Sequence, residues 1–153
     1  MLIRKHEFQI FADYHQFYLE DENSPHNTGD IWSQEAFERM LGTEIGLIAI
    51  GTARRETVPV SVEFHDGEPV LELEKYSRVN ECSLEVKSEK LIISGCTDYL
   101  PDAERIEVEP SNYRIRILYG NLESVVEEWS GEDFYILQLW KDSETRGVST
   151  LKP

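Results

Sequence analysis

Val58-Pro59-Val60-Ser61-Val62-Glu63-Phe64 is the stretch that decides the fold. Val58, Val60, Val62 and Phe64 fall on one side of an extended chain, with Ser61 and Glu63 on the other. Such period-2 alternation belongs to a strand with one buried and one wet face. Asn112–Tyr119 repeats it, setting Tyr113, Ile115, Ile117 and Tyr119 against Arg114 and Arg116. Pro59 has no N–H to give to a ladder, so its strand is expected at a sheet edge or starting there. Further strands are expected at Glu7–Leu19, Ile45–Ala53, Ser83–Lys87, Leu91–Gly95, Arg105–Val108 and Phe134–Trp140, between turn signals such as Asp66-Gly67, Glu109-Pro110 and Ser130-Gly131. Glu7–Leu19 changes phase, from Phe8, Ile10 and Ala12 to Phe17 and Leu19. A β-bulge at Asp13–His15 would reconcile its halves. A single helix is legible: Ser33 as N-cap, Glu35 in the first turn, an apolar stripe of Ala36, Phe37, Met40 and Leu41, and Gly42 as the left-handed terminator. The expected architecture is a mostly β, antiparallel sandwich with one short helix around Ser33–Leu41, in a single domain over residues 1–153.

The chain of 153 residues carries 30 Asp and Glu against 15 Lys and Arg, a formal net charge of −15. Nucleic acid binds by exchanging its counterions for Lys and Arg, and an anionic membrane attracts the same groups. Both are excluded as direct partners by this balance. The N-terminal stretch holds no 7–15-residue apolar segment of the signal-peptide kind. The cytoplasm is the expected compartment.

Cys82 and Cys96 flank an expected hairpin over Ser83–Gly95, in which Leu84 would face Ile93 and Val86 would face Leu91. That register puts the two cysteines on opposite faces, where a disulfide cannot form without distorting the sheet. Two Cys and four scattered His show no metal-ligand spacing, so neither a metal nor another cofactor is expected. No nucleophile elbow or phosphate loop occurs, and no catalytic residue is assigned. His15 stands out among the histidines because Asp13, Tyr14 and Gln16 surround it at the proposed bulge.

The negative charge lies in two blocks. Residues 6–38 contain eight acids and no Lys or Arg; residues 117–140 contain five acids and again no base. Clustered charge of one sign speeds encounter with an oppositely charged protein. The first block therefore reads as a surface for a basic protein partner. Glu20, Asp21, Glu22 and Asp30 would steer, and Tyr14, His15, Phe17 and Trp32 would anchor; Trp129 lies in the second block. A different reading is a sandwich that binds a small molecule or carbohydrate on a concave sheet face lined by Tyr113, Tyr119, Tyr135 and Trp140. A third is a structural protein whose acids only solvate it.

Tyr14-His15-Gln16-Phe17, Asp30-Ile31-Trp32-Ser33-Gln34-Glu35-Ala36-Phe37-Glu38 and Ile48-Ala49-Ile50-Gly51-Thr52-Ala53-Arg54 resemble segments of the ComJ family. These are competence proteins that inhibit a DNA-entry nuclease in bacteria. The resemblance falls in roughly the first 65 residues and keeps the order strand, acidic loop, Trp, helix, strand. Asn112–Trp140 is similar instead to uncharacterised bacterial proteins of similar length with the same N-terminal half. The resemblance implies a small acidic protein without a catalytic role, with a nuclease as candidate partner.

Overall fold

The alternating runs pair into two sheets in a computed structural model that describes residues 1–153. In chain order the elements are β1 (Leu2–Phe11), β2 (Gln16–Asp21), α1 (Gln34–Arg39), β3 (Leu41–Glu44), β4 (Leu47–Gly51), β5 (Thr57–His65), β6 (Arg78–Val86), β7 (Lys90–Gly95), β8 (Glu104–Glu107), β9 (Ser111–Gly120), β10 (Phe134–Lys141) and β11 (Ser149–Lys152). The first sheet has the order β1-β5-β10-β9-β6-β11, and the second β3-β4-β2-β7-β8. All neighbours are antiparallel except β5 and β10, which are parallel. The molecule is the β-sandwich with one short helix that the alternation predicts. No helix is long and apolar enough to cross a membrane.

The core lies between the sheets. Val58, Val60 and Val62, Ile115 and Ile117, and Leu137 and Leu139 meet Phe17, Leu19, Ile48, Ile50, Leu91 and Ile93 from the other layer. Each such side chain contributes about 1.5–3 kcal/mol when fully buried. Tyr113, Tyr119 and Tyr135 belong to this interior, and Trp140 is buried on the opposite face beneath Arg116. The four aromatics therefore share no common concave face of the kind expected, although Tyr113 borders a surface cleft with Ile3, Arg4 and Phe64. Arg114 and Arg116, which alternation places on a wet face, are also buried. Both bond to Glu81, while the carbonyls of Pro69, Arg146 and Gly147 cover them.

Three local expectations are corrected. β5 is an interior strand, and Pro59 sits one residue before the first β10 partner, Val60 opposite Tyr135. The ladder to β10 thus begins after the missing N–H. Glu7–Leu19 is two strands in different sheets, joined by a turn at Asp13–His15 rather than a bulge. That sheet change is why the buried parity flips. Ser83–Gly95 is not a hairpin: β6 and β7 lie in opposite layers, so Leu84 and Ile93 both reach the core from facing sheets. Cys82 points into that core, and Cys96 lies near the corner as a separate free thiol.

The helix starts as expected, with Ser33 Oγ accepting from the Ala36 N–H at 3.1 Å. It ends two residues earlier than expected, on Met40 in the left-handed conformation (φ 65°). Gly42 has another reason to be glycine. A Cβ there would stand 2.6 Å from the Ile31 carbonyl oxygen. Six helical residues bury only Ala36, so Phe37 faces solvent rather than the core.

Candidate functional site

The corner between β1 and β2 has an unusual backbone. Tyr14 (φ 53°) and His15 (φ 59°) are consecutive left-handed residues. Side chains other than Gly and Asn seldom adopt that conformation, and strain of this kind clusters at functional sites. The turn throws the Tyr14 ring outward, where it is 61% exposed. Across from it, the end of α1 and the loop before it bring up Trp32, Phe37 and Met40. Together with His15, Gln16, Gly51 and Thr52 they line an open cleft of about 510 Å³.

Gln16 organises the cleft wall. Its amide oxygen accepts from Trp32 Nε1 and from the Tyr18 hydroxyl, both at 2.8 Å, and its amide nitrogen donates to the Tyr14 carbonyl. The indole is thereby fixed in orientation while its edge stays accessible. His15 is held from two sides: Nδ1 lies 3.3 Å from the Thr52 carbonyl oxygen and Nε2 3.0 Å from Glu128 Oε2. Glu128 comes from the second acidic block. The two blocks therefore meet at this histidine, across 113 residues of sequence. Trp129 (59% exposed) and Val126 (91%) stand near Glu128 in sequence and are open to solvent.

The bases closest to the corner are already engaged. Arg54 pairs with buried Asp133 at 2.5 Å, and Asp133 also accepts from the Tyr135 hydroxyl. Arg55 pairs with Asp13 at 2.9 Å, and its backbone N–H donates to the Glu128 carbonyl. Burial alone would raise the Asp13 carboxyl, but bonds from Arg55, Thr97 and the Tyr14 N–H hold it below the usual carboxylate range. Asp30, Glu35, Glu127 and Glu132 are exposed and make no ion pair.

The expected site residues thus divide. Tyr14, His15 and Trp32 come together in the cleft. Phe17 does not: it is fully buried, stacked edge-on against Tyr135, and touches no solvent. Glu20 and Asp21 are buried too and serve the fold. Glu20 accepts from Ser24 Oγ and faces His26 Nδ1, each at 2.9 Å. Asp21 accepts from the N–H groups of Lys87 and Ser88 and from the Ser88 hydroxyl, pinning the crossing from β6 to β7. Glu22 is exposed but tied to Arg105, and Asp30 is exposed and unpaired. Sequence reasoning missed Phe37 and Met40, because a helical stripe reads as core until the brevity of the helix is known.

The comparisons with known proteins bear on the fold. No family model matches the chain, and no curated protein matches it in sequence. Among solved structures, it superimposes on the crystal structure of ComJ from Bacillus subtilis, inhibitor of the DNA-degrading activity of NucA. That match has a TM-score of 0.66 at 18% identity and covers 93% of this chain and 98% of the other. The chain has the ComJ fold. The product of crocagin biosynthetic gene J shares it, with a TM-score of 0.60 at 13% identity over 92% of this chain and 99% of the other. The likeness to ComJ therefore runs past the first 65 or so residues, where the sequence segments resemble that family, and through the C-terminal half as well.

Proposed function

We propose that this chain is a non-catalytic, cytoplasmic binding protein that docks a basic protein, such as a nuclease, over the Tyr14–Trp32–Phe37 cleft, in the manner of an inhibitor or immunity partner. The observation that carries this reading is the meeting of both acidic blocks at an open aromatic cleft, through the contact of His15 with Glu128. Aromatic anchors supply affinity on such surfaces, and surrounding charge supplies encounter rate and selectivity. The ComJ fold agrees with this reading, since that neighbour is described as a nuclease inhibitor. Steering falls to Asp30, Glu35, Glu127 and Glu132, which have no partner charge within the chain. The test is capture of partners by the purified chain at low salt, followed by binding and nuclease assays with the captured protein. A basic protein should be retained by the wild type, lost on Tyr14→Ala or Trp32→Ala, and inhibited if it is a nuclease. Retention that neither substitution alters would overturn the reading.

The volume of the cleft favours a second reading, because about 300–1,000 Å³ is typical of small-molecule sites. A ligand of the source cell that copurifies in the cleft and persists after every protein partner is removed would favour it.

A further inference from the structure

Three guanidinium groups lie over aromatic rings, and two of them are built into the fold. Arg116, 5.2 Å from the Trp140 ring centroid, is 2% exposed and bonded to Glu81 and the Pro69 carbonyl. Arg4, 4.1 Å over Phe64, also donates to the Glu107 carbonyl and bridges the two sheets. Arg55 is different. Its guanidinium lies 4.5 Å over the Tyr14 ring with its side chain 42% exposed. Of its side-chain nitrogens only Nε makes a hydrogen bond, to Asp13 Oδ1 at 2.9 Å. A carboxylate at the edge and an aromatic ring at the face are the two features that recognise a guanidinium. Here they are presented on the strained corner, and the same Tyr14 ring lines the cleft.

We propose that Asp13 and Tyr14 form a seat for a guanidinium group, filled by Arg55 in the isolated chain and taken over by an arginine of the partner on docking. This inference rests on the reading of the cleft as a partner site and names the side chain that the site selects. Arg55 leaves easily, because an exposed pair held by one hydrogen bond contributes little. Its backbone stays anchored through the bond from its N–H to Glu128, so release moves a side chain and not the loop. Lysine is the poorer occupant, since it has neither the planar face to stack on Tyr14 nor the fork to share between carboxylate oxygens.

Hexa-arginine and hexalysine peptides, titrated into the full chain by calorimetry, test this. Arg55→Lys keeps the net charge while loosening the resident group. It should bind hexa-arginine roughly five-fold more tightly than wild type and hexalysine no more tightly. Tyr14→Ala should abolish the preference for arginine over lysine. Asp13→Asn should do the same and serves where Tyr14→Ala fails to fold by circular dichroism. An equal gain for both peptides in Arg55→Lys, or a preference that survives both corner substitutions, overturns the seat. Failure here is distinct from failure of the proposed function. A captured basic protein that binds Arg55→Lys as it binds wild type removes the seat and leaves the cleft reading intact. An arginine preference with no basic protein captured does the reverse.

Discussion

Asp21 accepts hydrogen bonds from the Asn23, Lys87 and Ser88 N–H groups and the Ser88 hydroxyl, so its charge is spent inside the fold. Burial alone would raise its carboxyl, but the bonds from Ser88, Lys87 and Asn23 more than reverse that and hold it below the usual range. The stabilisation is therefore fully present above the unfolded value of about 3.9 and is lost as pH falls through the lower folded value. Asp21→Asn should lower the free energy of unfolding in urea by about 1–3 kcal/mol at neutral pH, and by less in acid. Glu20→Gln, which leaves His26 without its carboxylate, should also destabilise. The two thiols make a second test at this scale. Burial pushes Cys82 up to about 12, and it raises Cys96 as well. Cys82 should resist a thiol reagent at about pH 8 until the protein is unfolded, with Cys96 reacting slowly before it.

The elements show where local chemistry decides and where distant partners do. Ser33 was legible as a cap because its hydroxyl bonds three residues ahead, and Ser33→Ala should cost about 1 kcal/mol in thermal unfolding. Val58–Phe64 and Asn112–Tyr119 were legible because alternation over a whole strand survives any choice of neighbour. The sheet assignment of β6 and β7 was not. Their apolar parity suits both a hairpin and two facing layers, and only the crossing pinned by Asp21 separates the two. The corner was half legible. Its phase change was visible, but Tyr and His give no local sign of φ near 53–59°, where the His15 N–H donates to the Ala12 carbonyl and the His15 carbonyl accepts from the Thr52 N–H. Of the residues expected to meet a partner, Tyr14, His15 and Trp32 line one cleft, while Phe17, Glu20 and Asp21 share their stretch of sequence yet point inward. Gly95 shows how tightly the corner closes on the second sheet, since a Cβ there would run into the Phe11 carbonyl oxygen. Gly95→Ala should cost about 1–3 kcal/mol, read as a lowered melting temperature.

At the scale of the whole molecule, the excess of acids is divided between work inside the fold and a field outside it. Neutralising Asp30, Glu35, Glu127 and Glu132 together should slow association with a basic partner and flatten its salt dependence. For wild type the rate should fall steeply between about 0.01 M and 0.1 M salt, as the screening length shrinks from roughly 30 Å to 10 Å. Trp32→Ala should act mainly on dissociation, seen by stopped flow. It should also lower stability somewhat, since Trp32 packs against the cluster of Tyr18, Ile31, Leu47 and Ala49. The parallel pairing of β5 with β10 bears on how such a chain is made. The second sheet is complete once Glu107 has been synthesised, but β5 keeps one flank bare until Phe134–Lys141 arrives. At about 5–20 residues per second that interval lasts on the order of 2–7 s, during which a Val-rich strand is open to misassembly on the ribosome. A chain stopped at Asp133 would retain Tyr14, Trp32, Arg55 and Glu128 and yet be expected to pellet as aggregate, a difference that centrifugation of the translation product would register.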